Sequence, residues 1–159
     1  MNIGVISDTH GLLRPEALDA LRGSERILHA GDIGTPAILA ELETIAPVTA
    51  IRGNNDYEEW AKDIAEREII ECEGARIFML HDRKELNGVA EDYDVVIAGH
   101  SHKPSIEERD GVLYVNPGSA GPRRFSLPVS VARLTVKNGK AEAEIIELKV
   151  APPKRRGRK

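Results

Sequence analysis

Short apolar runs alternate with helix-like segments in the first third of the chain. Residues 3–7, 26–30 and 48–52 are runs of strand length whose hydrophobic residues are nearly contiguous, as in buried parallel strands. Residues 15–21 and 35–47 lie between these runs and carry apolar side chains at helical spacing. We expect Thr35 to cap the second helix and Pro47 to end it. The alternation predicts a parallel sheet with right-handed crossovers.

The rest of the chain consists mainly of segments with strand-like patterns. Asn138 and Gly139 separate the last two segments, which is a strong signal for a tight hairpin. These strands predict a second sheet, so that one sheet is mostly parallel and the other is mixed. The two inner faces would bury each other, and helices would cover the outer faces. The predicted strands are residues 68–72, 76–80, 95–98, 112–116, 129–136 and 140–150.

Metal-binding side chains follow five of the apolar runs directly. Ligands collect outside the carboxyl ends of the strands in open α/β sheets, so we expect these side chains to converge. Imidazole nitrogens combined with carboxylate and amide oxygens favour transition metals over calcium. Seven such groups exceed the three protein ligands of a typical catalytic zinc and suit two ions that share a carboxylate. The candidates are Asp8, His10, Asp32, Asn54, His81, His100 and His102.

Each fragment of this pattern has a simpler interpretation when it is taken alone. An isolated Asp-x-His after a strand is usually a capping pair, and an isolated Gly-Asp is usually a turn. Four of the five histidines nevertheless follow apolar runs, and capping does not explain that placement. His29 lies inside a predicted strand, so we expect a packed residue or a neighbour of the ligands there.

Composition indicates one domain with a short tail. The 159 residues include one cysteine, which excludes an internal disulfide, and no apolar run near the ~20 residues that span a bilayer. The first residues lack the pattern of a signal peptide, so we expect a soluble, cytoplasmic protein. We expect a domain at residues 1–150 and a basic, disordered tail at residues 151–159.

The charge is unevenly distributed between that domain and its tail. Five of the 22 basic residues fall in the last six positions, which leaves 17 basic against 26 acidic residues, or −9, before them. Such an acidic body argues against a general nucleic-acid binder. The tail has one alternative interpretation, a weak polyanion-binding arm.

Taken in order, the strand-end segments resemble the five motifs of the calcineurin-like metallophosphoesterases. Asn116-Pro117-Gly118-Ser119 also matches a turn of the small prokaryotic phosphodiesterase subgroup. The resemblance implies an α/β fold, a four-layer α/β/β/α sandwich with two mixed β-sheets. The five motifs are Asp8-x-His10, Gly31-Asp32, Gly53-Asn54-x-Asp56, His81 and Gly99-His100-Ser101-His102.

Metal ligation is the first property that the resemblance implies. The family holds two divalent ions, with manganese expected here and nickel, cobalt, iron or zinc as alternatives. A hydroxide that bridges the two ions attacks the phosphorus of the substrate. Carried over to this chain, Asp8, His10 and His102 would hold one ion, Asn54, His81 and His100 would hold the other, and Asp32 would bridge them.

Hydrolysis of a phosphate diester is the activity that the resemblance implies. Asn54 and His81 are then the expected catalytic residues, and Asn54 and Asn55 are the expected substrate contacts. Larger members carry a histidine at the position of Asn55 that protonates the leaving oxygen, and a neutral amide cannot do so. We therefore expect good leaving groups such as aryl oxides.

Other activities and partners remain open at this level. The alternatives are a phosphomonoesterase, a nuclease for which nucleic acid is only the substrate, and a non-catalytic protein-binding scaffold of the same fold. No membrane partner is expected. Residues 84–89 form a short helix candidate that would leave the site open. An exposed sheet edge or the C-terminal hairpin would allow a homo-oligomer.

Overall fold

The computed structural model describes residues 1–86, 92–123 and 126–150, which form two five-stranded sheets. The helices are α1 (Pro15–Leu21), α2 (Pro36–Leu42) and two single 3₁₀ turns at Glu59–Ala61 and Arg83–Glu85. The strands are β1 (Asn2–Ile6), β2 (Arg26–His29), β3 (Val48–Ala50), β4 (Arg67–Cys72), β5 (Ala75–Leu80), β6 (Val95–Ile97), β7 (Ser105–Arg109), β8 (Val112–Asn116), β9 (Ser130–Lys137) and β10 (Lys140–Glu147).

The first sheet has the strand order β10-β9-β1-β2-β3. Strands β1, β2 and β3 are parallel and are connected through α1 and α2, as the alternating pattern predicts. Strand β9 runs antiparallel to β1 and pairs with β10 in a hairpin. Asn138 and Gly139 form the turn of that hairpin with φ angles of 51° and 77°, the left-handed values that such a turn requires.

The second sheet has the order β4-β5-β6-β8-β7 and is mixed. Its three central strands are parallel, and both edge strands are antiparallel to their neighbours. The edge strand β7 is missing from the strands predicted above. Its sequence Ser-Ile-Glu-Glu-Arg is mostly exposed and polar, so it has no apolar run by which a pattern could detect it.

The two sheets bury their inner faces against each other, as predicted. Fully buried residues of both sheets form that central layer, among them Val5, Leu28, Ile77, Ile97 and Leu134. Helices α1 and α2 cover the outer face of the first sheet through a second apolar cluster. The strand ends of both sheets are thereby held in one rigid frame, which is the α/β sandwich expected from the sequence.

The outer face of the second sheet carries little helix. Phe78, Val96 and Val112 form an apolar cluster on that face, and Arg83–Glu85 forms a single 3₁₀ turn beside it. The helix candidate at residues 84–89 lies partly outside the described residues, and the tail at residues 151–159 lies wholly outside them. No helix among the described residues is both long and apolar enough to cross a bilayer.

Helix α2 departs from its prediction at both ends. Thr35 occupies the N-cap position, but its side chain makes no capping hydrogen bond, and its Cγ2 methyl group faces Gly11. The helix ends at Leu42 rather than near Pro47. Beyond it, the amides of Thr44 and Ile45 bond carbonyls three residues back, so the helical spacing continues through tighter turns.

Candidate metal centre

The carboxyl ends of the parallel strands from both sheets meet at one edge of the sandwich. Six of the seven predicted ligands come together there in two groups, and within each group one potential ligand atom per residue lies within 4.8 Å of the others. The first group follows β1 and β6, and the second follows β2, β5 and β6. The groups are Asp8, His10 and His102, and Asp32, His81 and His100.

The first group surrounds one carboxylate oxygen. Asp8 Oδ1 lies 3.4 Å from Nε2 of His102 and 3.7 Å from Nε2 of His10. The two imidazoles lie 3.3 Å apart between their Nε2 atoms. Asp8 is fully buried and His102 nearly so, whereas His10 is partly exposed.

Asp32 links the second group to the first. Its Oδ2 lies 3.2 Å from Nε2 of His81 and 3.7 Å from Nε2 of His10. His100 is the more exposed member, and its ring lies edge-on to the His81 ring with centroids 5.1 Å apart. Asn54, the seventh predicted ligand, is exposed and lines a cleft together with His81 and His100. Asp32 therefore contacts a histidine of each group, and the resemblance assigns it the role of a bridging carboxylate.

Among the described residues, three buried atoms of the candidate ligands make no hydrogen bond: Asp8 Oδ1, His81 Nε2 and His102 Nδ1. The first two lie next to other candidate ligands, so they test whether a cation fits. Asp8 Oδ2 accepts hydrogen bonds from Ser7 Oγ at 2.7 Å and the His100 amide at 3.0 Å, but Asp8 Oδ1 accepts none. His81 Nδ1 lies 2.7 Å from the Ala30 carbonyl, which can only accept, so Nδ1 carries the proton. Nε2 of His81 faces the carboxylates, 3.2 Å from Asp32 Oδ2, and makes no hydrogen bond. A cation bound there would replace the proton on Nε2 and take its lone pair. Divalent cations in the two groups would supply the missing partners of Asp8 Oδ1 and His81 Nε2.

The electrostatics of the centre favour opposite charges side by side. Burial alone would lower the pKa of His81, but contact with Asp32, the bond to the Ala30 carbonyl and the nearby Asp8 raise that pKa to about 9. Burial would likewise raise the pKa of Asp32, yet His81, the Asn55 amide and His10 hold it well below its ordinary value. The aspartate therefore stays ionised, as a metal ligand must.

Five of the candidate ligands have a left-handed backbone, which non-glycine residues rarely adopt. The φ angles are 55° for Asp8, 46° for His10, 55° for Asp32, 70° for His100 and 65° for His102. Each such residue costs about 1–3 kcal/mol, and clusters of them occur at functional sites. The sharp turns aim the side chains back over the strand ends. No sequence pattern predicted this feature, because these residue types do not require it.

Gly99 allows the two sheets to approach each other at the centre. A Cβ atom at this position would lie 2.6 Å from Asp8 Oδ2 and would also clash with Ser7 Oγ. Asn116 supports the same turn, because its amide nitrogen donates to the Gly99 carbonyl at 3.1 Å. Ser119 Oγ donates to the Asp8 carbonyl at 3.0 Å. The Asn-Pro-Gly-Ser turn noted in the sequence thus binds the backbone next to both candidate groups, at Gly99 and at Asp8.

Asp56 anchors the loops of the centre, a role that the sequence did not reveal. Its buried carboxylate accepts hydrogen bonds from three backbone amides, those of Ile33 at 2.9 Å, Gly53 at 3.0 Å and Gly34 at 3.1 Å. It thereby joins the loop after β2 to the loop after β3. The sequence showed Asp56 only as the last residue of the Gly53-Asn54-x-Asp56 motif, because the amides that it binds come from residues up to 23 positions away.

Asn55 positions the carboxylate of Asp32 directly. Its backbone amide donates to Asp32 Oδ1 at 2.9 Å, and its side-chain amide donates to Oδ2 at 3.1 Å. Both oxygens are thus held by one residue, so the plane of the carboxylate is fixed.

His29 is buried beside the centre and belongs to neither group. Its Nδ1 accepts from the Gly31 amide at 3.1 Å, so Nε2 carries the proton toward Thr9 Oγ1 at 3.0 Å. Thr9 Oγ1 donates in turn to the Ile33 carbonyl at 2.7 Å. Complete burial lowers the pKa of His29 to about 4, although nearby carboxylates such as Asp8 oppose the shift. His29 is therefore a neutral residue that hydrogen-bonds both the loop after β1, at Thr9, and the loop after β2, at Gly31.

Comparison with known proteins places these features in a family. The model of the calcineurin-like phosphoesterase superfamily domain matches residues 1–139. A probable metallophosphoesterase of Methanothermobacter thermautotrophicus is 41% identical over 160 residues, which cover 92% of each chain. A phosphodiesterase of Methanocaldococcus jannaschii is 37% identical over 139 residues, covering 74% of this chain and 83% of the relative.

Solved structures show the same architecture. An archaeal phosphodiesterase superposes with a TM-score of 0.76 at 29% identity and covers 92% of this chain and all of its own. Vps29 of Chaetomium thermophilum superposes with a TM-score of 0.74 at 22% identity, covering 93% of this chain and 97% of its own. The second likeness concerns the fold alone.

The anchoring role of Asp56 predicts a loss of stability in Asp56→Asn. The amide group of asparagine retains one acceptor oxygen and directs a donor at a backbone N–H, so the free energy of unfolding should fall by about 2 kcal/mol. Urea unfolding of the metal-free protein measures it. Asp63→Asn, at an exposed position, is the matched control and should change stability by less than about 0.5 kcal/mol. Equal stability of the two variants would contradict the role.

The burial of His29 predicts a specific pH dependence of stability. The unfolded chain binds a proton at this residue near pH 6.5, whereas the folded chain does so only near pH 4. Stability from the neutral ring is thus complete above pH 6.5 and is lost as the pH falls toward 4. In metal-free protein, the free energy of unfolding of the wild type should therefore exceed that of His29→Gln by most above pH 6.5. This excess should shrink as the pH falls from 6.5 to 4. A constant difference from pH 7.5 to 4 would show that His29 is not held neutral.

Proposed function

The chain belongs to the calcineurin-like phosphoesterase superfamily and is a metal-dependent phosphoesterase, and on that basis we propose that it is a dinuclear phosphodiesterase. The observation that carries the proposal is the pair of candidate metal groups joined at one carboxylate. Asp32 Oδ2 contacts a histidine of each group, His81 at 3.2 Å and His10 at 3.7 Å. A shared carboxylate of this kind suits two ions at one site.

The proposed ligands follow the two groups of the metal centre. Asp8, His10 and His102 hold one ion, and His81, His100 and Asn54 hold the other, with Asp32 between them. Manganese is the metal we propose, since imidazole and oxygen ligands together suit it. Two bound divalent ions supply positive charge opposite the phosphoryl oxygens and acidify an attacking water molecule.

The chain's own residues supply orientation and charge for the reaction. Asn55 fixes the plane of Asp32 through two hydrogen bonds, and Ala30 fixes the ring of His81 through Nδ1. Preorganised groups of this kind need no rearrangement when the substrate arrives. The amide of Asn54 lies exposed in the cleft beside His81, where it is placed to donate a hydrogen bond to a phosphoryl oxygen.

The leaving group receives no proton from the position that follows Asn54. Asn55 is a neutral amide, and its side-chain nitrogen is engaged with Asp32 at 3.1 Å. A neutral amide does not serve as a general acid. We therefore propose substrates whose leaving group departs as a stable anion, and this favours aryl esters over simple alkyl esters.

The competing functions differ in what they require of the centre. A phosphomonoesterase or nuclease would use the same metal groups on another phosphate ester. A non-catalytic scaffold would not need them. The orphaned Asp8 Oδ1 and His81 Nε2 favour a metal-dependent enzyme, because burying unpartnered polar atoms is costly without a ligand.

Metal dependence is the direct test of the proposed function. Protein stripped with a chelator should hydrolyse bis-p-nitrophenyl phosphate only after a divalent metal is restored, with manganese among the effective ions. Asp32→Ala and His81→Ala should each lower the restored kcat/KM by more than about 100-fold. Asp63→Ala, an exposed carboxylate, serves as the control and should retain wild-type activity. Folded protein that gives no turnover with any metal would support the scaffold instead.

Because no residue at position 55 can act as a general acid, we expect kcat/KM to depend steeply on the pKa of the leaving group. For methyl aryl phosphates, kcat/KM should fall strongly as the pKa of the phenol rises, because nothing protonates the departing oxygen. Asn55→His should flatten this dependence by introducing an acid, whereas Asn55→Ala removes the amide without adding one and should leave it steep. A wild-type rate that is nearly independent of the phenol would show that another residue supplies the proton.

A further inference from the structure

A second cavity adjoins the metal centre on the outer face of the second sheet. Its volume is about 590 Å³, within the range of sites that take small organic molecules. Side chains alternate along β6 and β8, so that Val95, Ile97 and Val115 point to the core between the sheets. Val96 and Tyr114 belong to the opposite face, and both line the cavity.

His100 connects this cavity with the proposed metal site. It lines the cavity and also lines the cleft that contains Asn54 and His81. Its side chain is 43% exposed, unlike the buried His81 and His102, and its Nε2 lies 3.7 Å from Asp82 Oδ2. A phosphate group bound next to His100 would therefore lie adjacent to the cavity.

The lining of the cavity favours an uncharged ring over a second anion. Val96 and Ala98 are buried beneath it and present only hydrocarbon. The Arg83 guanidinium lies over the Tyr114 ring, 4.1 Å from its centroid, and makes an ion pair with Glu107 at 3.1 Å. Arg109 contacts the same Glu107 oxygen at 3.1 Å, so Glu107 balances the charge of Arg83 only in part, and the cavity lining carries both signs of charge through Asp82 and Lys84. The stacked pair offers flat surface, the kind of contact that aromatic groups make well.

We propose that this cavity binds an aromatic arm of the substrate ester while the phosphate lies at the metal centre. The inference rests on the proposed function, because the metal centre supplies the anchor for the phosphate. It goes further by naming the substrate class, phosphate esters that carry an aromatic ring. Tyr114 is the principal contact for that ring, and Val96 and Ala98 form the apolar floor beneath it.

Binding of two phosphonates to the manganese-loaded protein tests this assignment without any turnover. Methylphosphonate and benzylphosphonate share the same anionic head and differ only in the ring. Calorimetric titration should give a Kd for benzylphosphonate about tenfold lower than that for methylphosphonate, because the ring leaves water for the cavity. Tyr114→Ala should bring the ratio of the two Kd values close to one.

Tyr93→Ala is the matched control for this substitution. Tyr93 packs against the same face of the sheet and also has an arginine, Arg76, 5.1 Å from its ring centroid, but it is not among the residues that line the cavity. The control should keep the wild-type ratio. Because each ratio compares two ligands on one variant, general damage to the metal centre affects both Kd values alike. Ser105→Trp, which narrows the cavity from an exposed position, should abolish the preference if Tyr114→Ala does not fold.

The outcomes separate this inference from the proposed function. Equal Kd values for the two phosphonates in the wild type would overturn it, and so would a preference that survives both Tyr114→Ala and Ser105→Trp. A preference that depends on Tyr114, in a protein that hydrolyses no diester, would support the cavity assignment and reject the phosphodiesterase. Binding of neither phosphonate would reject both, since the anchor would be missing.

Discussion

The arrangement of the candidate metal centre depends on two buried carboxylates, Asp8 and Asp32, placed among imidazoles. Taking a carboxylate out of water costs several kcal/mol unless each oxygen finds a partner. Both oxygens of Asp32 and one of Asp8 have hydrogen bonds. The remaining oxygen, Asp8 Oδ1, has none, although imidazoles of His102, His10 and His81 lie 3.4, 3.7 and 3.8 Å away. The centre is therefore electrostatically incomplete in a way that bound cations would complete.

The fold supplies the rigidity that such a centre needs. Parallel strands of two packed sheets end at one edge, and left-handed turns point the ligands back over those ends. Asp56 and His29 tie the ligand loops together through the backbone. Strain at the ligands is tolerated because the surrounding strands and anchors fix it from several sides. The cavity that Tyr114 lines lies next to His100, the most exposed histidine of the two groups.

The sequence predicted the features that depend on local pattern. Apolar runs predicted nine of the ten strands found in the described part of the chain, and the polar residues after them predicted the candidate ligands, because ligands collect at strand ends. Contacts between distant segments were not predictable in this way. Asp56 binds amides up to 23 positions away, and the Arg83–Tyr114 pair joins residues 31 positions apart on different elements, so no local pattern indicates either contact. The edge strand β7 escaped because it buries little apolar surface.

Counting and locating the metal ions would test the central claim most directly. Crystals grown with manganese, measured at wavelengths that reveal its anomalous signal, should show two peaks for each chain. Two ions that share a carboxylate lie about 3.5–4 Å apart, so one peak should fall among Asp8, His10 and His102 and the other beside His81 and His100. Asp32 should lie between the two peaks. A single peak, or two peaks away from Asp32, would contradict the dinuclear centre.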